Sequence, residues 1–195
     1  MSVNLKNQLL QKQPKNSKYY LVAIDGRGGS GKTVLTEYIA KLLPDFIFLN
    51  GDDYFEPTPN EIAWGKFNDE RFIEDVINPL KQGKTTIAYR PYDWHTEPNI
   101  TERTITINKG VCIERCFSFA FDLDWDLKIW VETPSNIALQ RALERDKMPQ
   151  ERAVKAWKEV WQPEEDTHIE KFKPLQSADL VINGTKSFAE QLRLA

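Results

Sequence analysis

The sequence predicts an α/β domain: a mainly parallel sheet with helices on both faces. Short apolar runs alternate with helix-period segments along the chain, and a parallel strand needs a helical crossover to reach its neighbour. The runs are near-continuous in apolar residues, as strands covered on both faces are. The first of them ends in a glycine-rich turn that opens directly into a helix pattern.

The elements follow in order. "MSVNLKNQLLQKQPKNSK" lacks the apolar centre of a secretory signal and predicts a short amphipathic helix over about residues 3–13, with Leu5, Leu9 and Leu10 on one side. "YYLVAID" (Tyr19–Asp25) predicts a buried strand. "KTVLTEYIAKLLP" spaces Val34, Leu35, Tyr38, Ile39, Leu42 and Leu43 for one helix face, and Pro44 ends it. "FIFLNGDD" predicts a second buried strand and "NDERFIEDVINPLKQG" a helix stopped by Gly83. "TTIAYR" and "RTITI" read as strands, "GVCIE" and "LKIWVE" as two more buried ones. "TPSNIALQRALERD" predicts a helix with Thr133 as N-cap and Pro134 at its first position. "ERAVKAWKEVWQP" is a further helix closed by Pro163, "ADLVING" the last strand and "KSFAEQLRL" the closing helix. The polar, Pro- and aromatic-rich stretches Tyr54–Asn68 and Arg90–Arg103 read as long functional loops.

Composition narrows the class. The 195 residues are 41% hydrophobic and 28% charged, which suits one full-sized soluble domain, residues 1–195. A net charge of -3 supplies no overall basic field for nucleic acid. No apolar run approaches the roughly 20 residues that cross a bilayer. The only cysteines are Cys112 and Cys116. Without partner ligands that pair makes neither a disulfide framework nor a zinc site, and it suits reduced thiols in the cytoplasm.

"GRGGSGKT" satisfies Gly-x-x-x-x-Gly-Lys-Thr. Gly26, Arg27, Gly28, Gly29, Ser30 and Gly31 are expected to turn backbone N–H groups around the phosphates of ATP. Lys32 is expected to reach the terminal phosphates, the Thr33 hydroxyl to hold Mg²⁺, and Val34 to lie in the first helical turn beside them. Together these predict a P-loop NTPase fold. The guanine-reading Asn-Lys-x-Asp pattern and a transporter-type "LSGGQ" are both absent. The small size and the two aromatic-rich stretches suit a kinase of a small molecule.

Further motifs follow in a fixed order: "GDDYF", "YRPYDWH", "GVCIE", "RALERD" after "IWVETP", and "AWKEVWQPEEDTHIEKFKP" leading to "ADLVING". With the phosphate loop they resemble the uridine kinase and phosphoribulokinase-like family of P-loop kinases, over about Tyr19–Gly184. The resemblance implies transfer of the γ-phosphate of ATP to a hydroxyl, that of a nucleoside in uridine kinases, with Mg²⁺ as cofactor. It implies Asp52 as the base, with Asp53 as its partner or substitute. Tyr54, Tyr92, Asp93 and His95 become readers of the substrate, and Asp69 a group that touches it or only charges a helix N-terminus. Glu114 would help Thr33 hold Mg²⁺. Arg141 and Arg145 would neutralise the migrating phosphoryl group, at the start of a small lid over about 145–153. His168 falls in a helix and reads as structural.

Two departures stand out. The family's Glu-Gly is Glu114-Arg115 here, which predicts a bulky side chain near the phosphates. The lid "RDKMPQERAV" is short, with Arg152 as the one candidate to extend its clamp. Three readings therefore stay open: a nucleoside kinase, a kinase of another alcohol such as a vitamin, a pantothenate-like molecule or a sugar phosphate, and a nucleotide-binding regulatory protein with little catalysis. The resemblance also admits a homo-oligomer.

Overall fold

The computed structural model describes residues 4–11, 13–16, 18–58, 61–63, 65–92, 102–146 and 150–192. Its strands, in chain order, are β1 (Tyr20–Gly26), β2 (Phe46–Asn50), β3 (Phe55–Pro57), β4 (Gly65–Phe67), β5 (Thr86–Tyr89), β6 (Arg103–Thr106), β7 (Gly110–Glu114), β8 (Leu127–Glu132) and β9 (Leu180–Asn183). Five of them form a parallel sheet in the order β2-β7-β1-β8-β9. This is the α/β P-loop NTPase arrangement that the sequence predicts. The placement of some strands differs from expectation. "FIFLN" is an edge strand and only partly buried. "TIAY" and "RTIT" leave the sheet and pair with each other as an antiparallel hairpin. The stretch Tyr54–Asn68, expected as a loop, contains a second hairpin in which Phe55 pairs with Phe67.

The helices are α1 (Leu5–Leu10), α2 (Lys32–Leu42), α3 (Asp69–Phe72), α4 (Asn78–Lys81), α5 (Ser135–Arg145), α6 (Gln150–Ala156), α7 (Gln162–Phe172), α8 (Pro174–Ser177) and α9 (Phe188–Gln191). Side chains alternate along β1 between two cores, as the two-residue repeat of a strand requires. Tyr20, Val22 and Ile24 pack with Leu5 and Leu9 of α1, with Leu35 and Ile39 of α2, and with Phe188 of α9. Leu21 and Ala23 face the other core, with Phe72, Val76, Leu80, Trp130 and Phe119. Val34, expected on the buried face of α2, is 59% exposed instead. The first helix is shorter than the expected 3–13, and its Asn4 side chain caps the Asn7 amide.

Two helical runs pass through prolines, one of which, Pro163, the sequence suggests as a stop. Between α3 and α4 the chain makes a π-turn over Ile73–Ile77, and between α6 and α7 another over Trp157–Trp161. Pro79 and Pro163 then fall in the first turn of the next segment, where a missing N–H costs little. The predicted stop at Pro163 is thus a joint within one helical run from 150 to 172. Thr133 does not cap α5. Pro134 holds the cap position, and the Thr133 hydroxyl donates to the Ser30 carbonyl of the glycine-rich turn at 2.9 Å.

Parallel strands bring their C-terminal ends to one edge, where ligands gather in open α/β sheets. Register puts Asn50 beside Glu114, Glu114 beside Ile24, and Gly26 beside Val131 along that edge. Beneath it lies Asp25, 1% exposed. Its carboxylate accepts from the amides of Gly26, Phe117 and Phe119 at 2.7, 3.0 and 2.9 Å, and from His168 Nε2 at 2.9 Å. A carboxylate only accepts, so His168 carries its proton on Nε2. Replacing Asp25 by Ala orphans these buried donors, at about 1–3 kcal/mol each. Asp25→Ala is expected to lower the melting temperature by roughly 10 °C or more, measured by circular dichroism, while Asp25→Asn falls between the two.

Candidate functional site

The chain from Gly26 to Gly31 wraps the end of β1 and enters α2 without a side-chain cap. The first amides of α2 therefore point outward uncapped, with the positive end of the helix dipole behind them. Gly29 and Gly31 hold left-handed conformations, φ 78° and 101°. A side chain at Gly29 would also run into the Ala138 carbonyl of α5. The turn is thus pressed between helices, and its glycines are a steric need. Ser30 is fully buried, and its hydroxyl has no hydrogen-bond partner among the described residues.

Lys32 folds back into the turn. Its Nζ donates to the carbonyls of Gly26 and Arg27, each at 2.9 Å, and lies 3.2 Å from the Cys116 sulfur. Burial works against its charge, yet Cys116, Glu114 and Asp25 outweigh that and raise its pKa above the ordinary lysine value. Burial pushes the Cys116 thiol up to about 11. Thr33 Oγ1 lies 3.5 Å from Glu114 Oε2. Burial raises the Glu114 pKa, Lys32 opposes that, and the Asp52 charge adds to it. Thr33, Glu114 and Asp52 thus offer hydroxyl and carboxylate oxygens on one side of the turn. That donor set fits Mg²⁺, which keeps several waters and takes one or two carboxylates plus phosphate oxygens. A closed protein cage is not needed for it, and among the described residues no three His, Cys, Asp or Glu side chains form one.

The turn after β2 carries the acidic pair. Asn50 caps it by accepting from the Asp52 amide at 2.9 Å, which leaves the Asp52 carboxylate exposed. Asp53 turns the other way. Tyr89 of β5 donates to its carboxylate at 3.2 Å, Arg71 and the Tyr92 amide donate to its carbonyl at 3.1 and 2.7 Å, and burial raises its pKa. The Tyr92 amide bond ties the start of the stretch after β5 to this turn. Tyr54, expected to read substrate, is 1% exposed. It stacks on Tyr89, meets Phe72 edge-on and lies under the Arg71 guanidinium, so it packs the core instead of facing the open edge. Tyr92 packs its ring 5.3 Å from that of Phe55. Asp93 and His95 lie outside the described residues, as does the 147–149 part of the expected lid.

The arginines divide. Arg145 sits at the end of α5 with its side chain 62% exposed, paired with Asp146 at 3.1 Å, and its charge reaches Glu114. Arg141, one turn earlier, donates to the Gly184 carbonyl at 2.9 Å and so braces the end of β9. Arg27 turns toward α7, where it pairs with Glu165 and Asp166. Arg152 donates to the Glu61 carbonyl at 3.2 Å.

Arg115 corrects an expectation. Its side chain turns into an aromatic cage built by other segments. It is buried, sandwiched at 4.5–5.0 Å by the rings of Phe67, Phe72 and Phe121, and paired with Asp69 at 2.7 Å. It ties β4 and α3 to the end of β7. Asp69 is accordingly engaged by this arginine. His168 is structural, as expected, through Asp25. Sequence reasoning missed Asp25, Cys116 and Glu165. For Glu165 a signal existed: Trp157, Trp161, Glu165 and His168 recur at the spacing of one helix face.

No family model matches the chain. Curated relatives do. Uridine kinase of Borrelia garinii subsp. bavariensis is 25% identical over 142 residues, 65% of this chain and 66% of the relative. Uridine kinase of Borrelia turicatae is 28% identical over 144 residues, with the same coverage. The chain is thus similar to uridine kinases, as the motifs of its sequence lead one to expect. Inorganic pyrophosphatase TTM1 of Arabidopsis thaliana is also similar, 28% identical over 141 residues, 68% of this chain. The aligned stretch spans 22% of that protein's length and 66% of the two uridine kinases'. Among solved structures, a possible uridine kinase from Bacillus stearothermophilus superposes with a TM-score of 0.61 at 21% identity, over 85% of this chain and 89% of that one. The YGR205w protein does so with a TM-score of 0.60 at 12% identity, over 87% and 88%. Both share the fold of this chain. No helix among its described residues is long and apolar enough to cross a membrane.

The Arg115 cage generates a prediction. Restoring the family's glycine removes a buried cation, its aromatic contacts and the Asp69 pair together. Arg115→Gly is expected to destabilise the fold by about 3 kcal/mol or more, read as a lower midpoint in urea unfolding. An equal or higher midpoint would show that the cage contributes nothing.

Proposed function

We propose that this chain is an ATP-dependent kinase that moves the γ-phosphate to a hydroxyl of a small molecule, with nucleosides as the first acceptor class. One observation carries the reading: Lys32, the Thr33–Glu114 pair and the Asp52 carboxylate share one end of the sheet, around an uncapped helix N-terminus. The names of the uridine kinase relatives support the acceptor class.

The residues fall into roles that phosphoryl transfer needs, namely alignment, charge neutralisation and a proton acceptor. The amides that open α2 bind phosphate oxygens. Lys32 leaves the Gly26 and Arg27 carbonyls and turns to the terminal phosphates. Thr33 and Glu114 would hold Mg²⁺, which would supply positive charge to offset that of the phosphates. Asp52 orients the acceptor hydroxyl and takes its proton. The oxygen so freed forms the new bond to the γ-phosphorus as the bond to the ADP oxygen breaks. Asp53 is a weaker candidate for base because Tyr89 already occupies its carboxylate. Arg145, whose charge acts on Glu114, is the arginine that would meet charge developing on the transferred group.

A second reading keeps the kinase and changes the acceptor to another alcohol. The burial of Tyr54 favours it, since that removes one aromatic reader from the open edge. Mg-ATP with a panel of nucleosides, vitamins and sugar alcohols, read as ADP release, decides between the two. Uridine or cytidine is expected to stimulate release most. Stimulation by another alcohol alone moves the function to the second reading, and release from no acceptor removes the kinase.

Two variants test the roles. Lys32→Ala is expected to abolish detectable turnover and weaken Mg-ATP binding, followed by calorimetry. Asp52→Asn is expected to keep nucleotide binding and lose turnover by about 100-fold or more. Full activity in Asp52→Asn takes Asp52 out of the mechanism.

A further inference from the structure

The helical run from 150 to 172 touches the phosphate loop repeatedly. The Trp157 indole lies against Gly28, where any Cβ would collide with it. Glu165 is 5% exposed. Its Oε1 accepts from the Gly28 amide at 2.6 Å, and its Oε2 pairs with Arg27 at 3.2 Å. Asp166 takes the other arm of Arg27 at 2.6 Å. His168, one turn on, holds Asp25 at the foot of the loop.

The contact at Gly28 has a specific geometry. The Gly28 N–H and the Arg27 C=O belong to one peptide unit. That unit is planar and trans, so its donor and acceptor point in opposite directions. Glu165 takes the donor, and Lys32 Nζ takes the acceptor at 2.9 Å. A single peptide plane thus stands between a buried carboxylate and the lysine of the loop. Glu165 thus engages one edge of that plane and Lys32 the other. Burying a carboxylate is costly unless it is bonded. Burial does raise the Glu165 pKa, against the Gly28 amide and the charges of Lys32 and Arg27.

We infer that Glu165 is a positioning residue for the nucleotide: it fixes the Arg27–Gly28 peptide, and through it the starting position of Lys32. The inference rests on the nucleotide half of the proposed function and is independent of the acceptor. A merely structural role would lower stability without selecting among ligands. A positioning role changes nucleotide affinity according to whether an oxygen still reaches the Gly28 amide.

The test uses the full chain and Mg-ADP, titrated by calorimetry into wild type, Glu165→Asp and Glu165→Gln. Asp is one methylene too short to reach the amide, while Gln keeps an oxygen at the right distance. Glu165→Asp is expected to weaken Mg-ADP about tenfold, the size of one charge-assisted hydrogen bond, and Glu165→Gln to stay near wild type. In turnover, Glu165→Asp is expected to raise KM for ATP and leave KM for the acceptor unchanged. Wild-type affinity in Glu165→Asp overturns the inference, as does an equal loss in both variants. A wild-type chain that binds no Mg-ADP at all instead overturns the proposed function on which the inference rests.

Discussion

The rest of the site depends on one buried carboxylate. Asp25 is the next-to-last residue of the central strand, and water does not reach it. It must therefore find its partners within the protein. It finds them in the loop that follows β1, in the chain that leaves β7, and in α7. These segments are far apart in sequence. Each carries a part of the candidate site: the phosphate loop, the Glu114–Cys116 corner and Glu165. Asp25 sets their spacing before any ligand arrives.

That convergence explains a strained residue. Phe117 adopts a left-handed backbone, φ 70°, which costs a bulky side chain about 1–3 kcal/mol. The Asp25 bonds to the Phe117 and Phe119 amides hold it there, and the Ser118 hydroxyl bonds back to the Ile24 and Arg115 carbonyls. The result is a sharp corner after β7. The Phe117 ring turns onto His168, and the Cys116 sulfur lies beside Lys32.

The buried strands and the glycine-rich turn were legible because they rest on local pattern. "YYLVAID", "GVCIE" and "LKIWVE" read as buried strands and are buried. Edge position was not legible in "FIFLN", since an apolar run looks alike at the centre and at the margin of a sheet. Hairpins at 55–67 and 86–106 were missed for a different reason. Their pairing depends on partners such as Phe55 and Phe67, brought together across a connection that carries no tight two-residue turn signal. Lys32, Thr33, Asp52 and Glu114, singled out by motif and by resemblance, lie together at one end of the sheet. Arg115 was read as a neighbour of phosphate because sequence shows that a side chain is large and charged, and nothing of where it points. Its aromatic partners come from separate segments, which only the folded chain brings together.

In the sheet β2 and β7 are neighbours, yet 59 residues, 51–109, separate them in sequence. Both hairpins and the α3–α4 run belong to this single excursion. The phosphate loop, Lys32, Thr33 and Glu165 lie outside it, whereas Asp52, Asp53, Tyr54 and Tyr92 lie inside. The phosphate loop and the acidic turn after β2 are therefore encoded in separable stretches. Arg115 is the bolt between them: it stands just past β7 and plugs into Phe67, Phe72 and Asp69 of the excursion. A chain that exchanged this excursion for another could keep its phosphate-loop half intact only by exchanging the bolt as well.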